Sequence, residues 1–318
     1  MSVPRRHGHC DRFQRGHVVE VRSPREILAT LDSEGNLESL PFMPEMAKYC
    51  GRRFRVYRRA EKVFLDHYYY VARMQRAVFL EGVRCDGAAH AGCQMGCRVF
   101  WKEAWLKPLG PFDEAGDDSN GRSPDEVQLP TTKDGRFCCQ ATELVTATTR
   151  LPWWRPSQYV RDIRARGLST GQMTHVLLLL AYNKLRWICG REEVGAVRGQ
   201  QTKTTNEPLN LQPGELVQVK SVDEIKATLD SLGRNRGLGL PPGMADYCGG
   251  TYRVAGRAEK IITEWSGQLR RISNTVILEG VTCDGMARRC CPRDCCHLWR
   301  ESWLKRISGP ASARKPTL

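Results

Sequence analysis

Two stretches of the chain concentrate sulfur: Cys85 to Cys97 reads CDGAAHAGCQMGC, and Cys283 to Cys296 reads CDGMARRCCPRDCC. Cysteines at such spacings can hold a metal as thiolates, exchange as disulfides, or serve as small apolar residues in a glycine-rich turn. Spacing alone does not choose among these. The compartment helps. The opening MSVPRRHGHCDRFQR is basic without an apolar run, unlike a secretory signal. The longest apolar run, Val176 to Tyr182, falls far short of the roughly 20 residues of a membrane-crossing helix. A cytoplasmic protein is expected, where thiols stay reduced and a dense cysteine pattern points to metal or catalysis rather than to disulfides.

The two stretches belong to a duplication. From Gly16 to Lys107 the chain aligns without a gap on Gly214 to Lys305, and of about ninety positions more than forty are identical. A duplication lets one copy test the other. Cys50, Cys85, Cys93 and Cys97 match Cys248, Cys283, Cys291 and Cys295. Four cysteines kept in register among positions of which more than half differ make a complete tetrahedral set for zinc in each copy. The C-x7-C-x3-C spacing is not that of a standard zinc ribbon, so an iron–sulfur cluster and plain buried or redox cysteines stay open. His90 is replaced by Arg288, which moves the fourth-ligand expectation from His90 to Cys50 and leaves His90 as the candidate catalytic residue. Cys290, Cys296 and His297 occur in the second copy alone. The Cys138–Cys139 doublet could add a ligand, and His7, His9 and Cys10 read as a tail.

Other chemistry is thin. The chain has no P-loop, no G-x-G-x-x-G after a strand, no H-E-x-x-H and no nucleophile elbow. Glu61, Lys62 and Glu81, matched by Glu259, Lys260 and Glu279, read as cross-strand ion pairs ahead of catalytic groups. Trp101 and Trp105, matched by Trp299 and Trp303, have helical spacing and read as core ahead of base-stacking platforms. Tyr68, Tyr69 and Tyr70 with nearby arginines could form a basic aromatic face in the first copy only. The net charge of +14 is spread along the chain, which permits phosphate binding without pointing to nucleic acid, since nucleic-acid binders concentrate their charge.

The elements that must position these residues are mostly strands. HVVEVRS, RRFRVYRR and AVFLEGV have the alternation or β-branched content of strands, and SPREILATLD opens on a capping box. Several short strands and one small helix in each copy predict a mainly β protein of two small SH3-like barrels, residues 16–107 and 214–305. Residues 108–136 and 191–213 read as linkers, and 1–15 and 306–318 as tails. Between them, residues 137–190 read as a helical insert: a possible strand at FCCQATELV, then helices opening at Ser157 and Ser169. Trp153, Trp154, Tyr159 and the leucine run could lie on a membrane surface, but a contact with protein is the stronger expectation.

The segments YCGRRFRVYRRAEK, LEGVRCDGAAHAGCQ, FWKEAWLK, CQATELVTATTRLPWWRPSQYVRDIR and LNLQPGELVQVKS resemble an uncharacterised bacterial protein family, from about Gly16 to Lys305. The resemblance implies a cytoplasmic bacterial protein with a loose link to biosynthetic gene clusters, and it carries over no catalytic residue. The combined expectation is a zinc-binding tandem-repeat accessory protein that contacts a protein partner through the insert. A metal- or iron–sulfur-dependent biosynthetic enzyme comes second and a nucleic-acid binder third.

Overall fold

A computed structural model describes residues 13–109, 129–152, 155, 157–166, 169–191, 195–204, 206–241 and 243–307. His7, His9, Cys10, Trp153, Trp154 and residues 110–128 lie outside them. The fold is mainly β. Five antiparallel strands of the first repeat lie in the order Trp101–Lys102, Ala77–Leu80, Arg53–Arg59, Val18–Val21, Leu106–Pro108. The second repeat has the order Cys296–Arg300, Thr275–Thr282, Thr251–Arg257, Leu216–Val219, Leu304–Arg306. A 3-10 turn, Glu103–Trp105 or Glu301–Trp303, joins Trp101–Lys102 to Leu106–Pro108 and Cys296–Arg300 to Leu304–Arg306, the fourth and fifth of these strands in chain order. Register slips just after Val56 and Val254, and such a bulge bends its strand around the core.

Alternation decides which side chains fill that core. Val19, Val21 and Val56 are fully buried, as are Val217, Val219 and Val254 to within 1 %. Trp101, Trp105, Trp299 and Trp303 are all at 0 % exposure, as expected of core. Their spacing of four does not place them on one helix, because each pair straddles a strand end and a three-residue 3-10 turn. The helices Pro24–Leu28 and Val222–Lys226 start at the expected capping boxes on Ser23 and Ser221, and bury Ile27 and Ile225.

Each repeat also sends a hairpin to the other. In the first repeat Lys62–Leu65 pairs with Tyr70–Arg73, and in the second Lys260–Ile262 pairs with Leu269–Arg271. The Phe64 amide donates to Cys291 Sγ at 3.3 Å, and its equivalent, the Ile262 amide, donates to Cys93 Sγ at 3.3 Å. His67 and its equivalent Trp265 stack, with ring centroids 4.9 Å apart and planes 13° apart. The repeats are thus clasped about an approximate twofold, each cysteine loop resting on the hairpin of the other copy.

The insert departs from expectation at its start. FCCQATELV does not form one strand: Arg136–Phe137 pairs briefly with Thr132–Lys133, a turn follows, and Leu144–Ala147 is helical. Thr142 Oγ1 accepts from the Cys139 amide at 2.9 Å and donates to the Cys139 carbonyl at 3.0 Å. Such side-chain bonds compete with a ladder and close a turn instead. The helices Ser157–Arg166 and Thr170–Ile188 form as expected. Ser169 and Gln172 cap the second reciprocally, at 2.9 and 3.1 Å.

Candidate metal centre

The cysteine loop of the first repeat is built on its Asp-Gly turn. The Cys85 amide donates to the Cys97 carbonyl at 2.8 Å, which sets these two residues side by side. Between them the chain turns back at Gly87, whose carbonyl accepts from His90 and Gly92 at 2.9 and 3.0 Å. Gly87 has φ +67°, and a Cβ there would meet the Cys93 carbonyl oxygen at 2.1 Å, so this position admits only glycine. Gly285 repeats the arrangement, with Cys291 O at 1.9 Å from an added Cβ and the Cys283 amide 2.8 Å from the Cys295 carbonyl. The shared C-D-G motif therefore folds the chain so that three cysteines of each loop line one cavity or cleft.

A small cavity of about 40 Å³ lies inside the first loop, and its wall carries Cys85, Cys93, Cys97, Met43, Met95 and Cys139, with Arg98 and Arg293 beside them. Cys139 comes from the insert. Its neighbour Gln140 holds it there: Gln140 Oε1 accepts from the Phe100 amide at 2.7 Å, and Nε2 donates to the carbonyls of Phe100 and Pro41 at 2.9 and 3.1 Å. Backbone donors point at the sulfurs, Gly87 at Cys85, Ile262 at Cys93, and Thr142 and Ala141 at Cys139. Burial is the largest effect on every resolved thiol here. It pushes Cys139 up to about 11 and Cys85 and Cys97 also upward. With no cation present these sulfurs are neutral thiols, which disfavours a nucleophilic role, because the thiolate is the nucleophile.

Glu45 and His90 buttress this cavity. His90 Nδ1 lies 2.8 Å from Glu45 Oε1 and its Nε2 lies 3.0 Å from the Cys138 carbonyl oxygen. Burial opposes both charges, yet the ion pair outweighs it, so His90 is raised and Glu45 lowered. Both ring nitrogens then donate, and His90 clips the Cys138–Cys139 turn to the barrel with neither nitrogen left to accept from or ligate anything else. The Cys85 thiol donates to Glu45 Oε1 at 3.2 Å, whereas Glu45 Oε2 is buried without a partner. Glu45 was not visible as a site residue in the sequence, since its counterpart is Gly243.

Cys50 caps a 3-10 turn, packs against the barrel core and does not line the cavity; burial alone pushes it up to about 12. Cys248 occupies the equivalent cap, away from Cys283, Cys291 and Cys295. The structure thus brings together three of the four expected positions in each copy, and in the first copy adds Cys139. In the second copy Arg293 takes the place of Met95. Its guanidinium is buried among Cys97, Cys291 and Cys295 and is held by Glu264 at 2.7 Å. Among the described residues, no group of three or more His, Cys, Asp or Glu side chains is gathered as it stands into an arrangement that could hold a metal ion.

Several of the other expected site residues have structural partners. Glu61 pairs with Arg59 at 2.5 Å and Arg73 at 3.8 Å, within its own repeat. Lys62 is buried against Asp162 of the insert at 2.5 Å. Along the helix Thr170–Ile188, Leu178, Leu185 and Ile188 are 60 % or more exposed. No helix among the described residues is long and apolar enough to cross a membrane. Comparison with known proteins finds no matching family model, no matching curated protein and no matching solved structure.

Proposed function

We propose that the protein is a zinc-binding tandem-repeat accessory protein, holding one ion in the first repeat through Cys85, Cys93, Cys97 and Cys139. The observation that carries this reading is the small cavity whose wall is rich in sulfur contributed by two separate chain segments. Thiolates select zinc and other soft metals. Backbone N–H groups aimed at sulfur favour the thiolate form that a metal needs. The orphaned carboxylate oxygen of Glu45 beside Cys85 adds negative potential in the same place. Loading requires the thiols to turn inward, Cys85 releasing Glu45. A change of one staggered χ1 well carries a cysteine sulfur about 3 Å, enough to converge neighbours on a point.

Four cysteines around one small cavity suit a single tetrahedral ion. Arg293 reaches both cysteine loops, so its charge does not separate them. The second repeat lacks a counterpart of Cys139 among the described residues lining its cleft, so this reading places one ion per chain, in the first repeat. Its role is to fasten the insert to the first barrel through Cys139, presenting the exposed leucine stripe of Thr170–Ile188 to a protein partner.

Each repeat is an SH3-like unit in this reading. The support is a five-strand antiparallel sheet in which the fifth strand pairs with the first, with a 3-10 turn before it. Metal analysis of protein purified anaerobically tests the function: one zinc per chain, lost on replacing Cys139, supports it, and a metal-free protein that refuses added zinc overturns it.

A further inference from the structure

The grooves beside the two cysteine loops have different fates. In the first repeat the insert fills the groove: Leu129 packs on Gly35, the Phe137 amide donates to the Gly267 carbonyl at 2.8 Å, and Cys139 and Gln140 close it over the loop. In the second repeat Val197 covers Gly233 much as Leu129 covers Gly35. No described segment plays the part of residues 137–141. A cleft of about 950 Å³ lies open there instead, within the range of small-molecule sites, ~300–1,000 Å³.

Its walls differ from the first groove in one consistent respect. Arg234, Arg270, Arg288 and Arg293 line the cleft at positions where the first repeat has Asn36, Ala72, His90 and Met95. Arg288 pairs with Asp66 at 2.8 Å, on an aspartate 57 % exposed, and Arg293 pairs with Glu264. Among the described residues, the side chains of Arg234 and Arg270 form no ion pair, and both residues are exposed. Asp294, the cleft's second carboxylate, is already held by Arg58 and Arg98 at 3.1 Å each. The cleft therefore keeps a positive excess. Trp265, half exposed and braced by its stack on His67, stands in the same wall, as does Tyr69 at 48 % exposure. Rigid aromatic faces take planar rings, and guanidinium forks take carboxylate or phosphate oxygens.

We propose that this cleft of the second repeat binds a small planar aromatic anion, its ring against Trp265 and Tyr69 and its carboxylate or phosphate on Arg234 and Arg270. A cleft of this volume, with buried Cys291 and Arg293 in its wall, is of the size that takes a small molecule. The cleft shares Arg293 with the wall of the first-repeat cavity, but its arginines and aromatic faces do not require a metal there.

Calorimetry on the full-length protein at low salt tests it with adenosine 5′-monophosphate and salicylate as aromatic anions. Adenosine and ribose 5-phosphate are the controls lacking charge or ring. At least one aromatic anion binds, and which one separates phosphate from carboxylate. Both controls bind at least about tenfold more weakly than the aromatic anion, as loss of one charge-assisted or stacking contact requires. Replacing Trp265 by Ala, or Arg234 and Arg270 together by Ala, weakens binding by a similar factor. These side chains are exposed, and an unchanged circular-dichroism melt confirms the fold. The proposal fails if neither aromatic anion binds with a Kd below about 5 mM, if ribose 5-phosphate binds as well as the monophosphate, or if the variants bind like the parent. Binding of an acidic glutamate peptide in place of both aromatic anions also overturns it, making the cleft a peptide site.

Discussion

Replacing Cys139 by Ser separates the insert-completed site from a site made within the repeat. Structural zinc in small sites contributes ~10–16 kcal/mol of apparent binding energy over four ligands at neutral pH. One thiolate of four is then worth roughly 3–4 kcal/mol, a loss of about two to three orders of magnitude in affinity. The fold should survive, because serine is nearly isosteric and its hydroxyl can accept from the Ala141 and Thr142 amides that face Cys139 Sγ. Gln140 still fastens the turn through three hydrogen bonds. Competition against a chromophoric chelator measures the affinity, and a thermal melt of the apoprotein checks the fold. Cys50→Ser, run alongside, leaves zinc affinity within about threefold of the parent, a change under about 1 kcal/mol. If Cys139→Ser binds zinc as the parent does while Cys50→Ser loses it, the ligand set is Cys50, Cys85, Cys93 and Cys97, and the role given to the insert is wrong.

Three further outcomes follow from packing and charge. Gly87→Ala and Gly51→Ala both place alanine at positive φ, a cost of about 1–2 kcal/mol. Only Gly87 also drives a Cβ into the Cys93 backbone, so Gly87→Ala lowers the urea midpoint much further and abolishes zinc uptake, whereas equal midpoints would contradict the turn's assigned role. Glu301, fully buried, accepts from the amides of Leu209, Asn210 and Leu211 at 2.6, 2.9 and 3.1 Å and pairs with Arg257 at 3.3 Å. Its replacement by Ala costs about 3–5 kcal/mol, the penalty for breaking a buried charge pair, and a loss below about 1 kcal/mol in denaturant melts refutes that bonding. Glu26 is held down to about 2 by the Ser23 side chain and then Lys107, and Glu224 to about 2 by Lys305 and then Ser221. Because these folded values are depressed, their stabilisation is present above the ordinary value of 4.5 and drains away as pH falls toward 2. The double variant E26Q/E224Q therefore melts below the parent at pH 6, the gap shrinks steadily as pH falls from 4.5 toward 2, and a gap that stays constant over that range contradicts the assignment.

The repeat, its strands and its buried tryptophans were legible because alternation and self-comparison both report which side chains face inward. The capping boxes at Ser23, Ser221 and Ser169 were equally legible, being local chemistry within four residues. What the sequence hid is long-range. Cys139 lies more than forty residues from Cys97, and the burial of Gln140 between Pro41 and Phe100, with the His90 bond to the Cys138 carbonyl, brings it to the loop. Comparing copies favours residues common to both, so it drew attention to Cys50 and Cys248, which share a capping role on equivalent 3-10 turns. It passed over Glu45, which the second copy lacks, and it could not test the insert between the copies, whose Cys138–Cys139 doublet read only as a possible extra ligand. The same comparison, applied to differences, exposes the arginines of the open cleft. His90 stood out for the right contrast, and its two occupied nitrogens make it a clip for the insert.

The most direct measurement is the metal content of the intact chain by native mass spectrometry after anaerobic purification. One zinc per chain, with the mass deficit of the protons that bound thiols surrender and complete loss of zinc when Cys85, Cys93, Cys97 and Cys139 are all replaced by Ser, is the predicted result. No metal after incubation with zinc, two zinc ions, or iron with sulfide would contradict a single zinc fastening the insert to the first repeat.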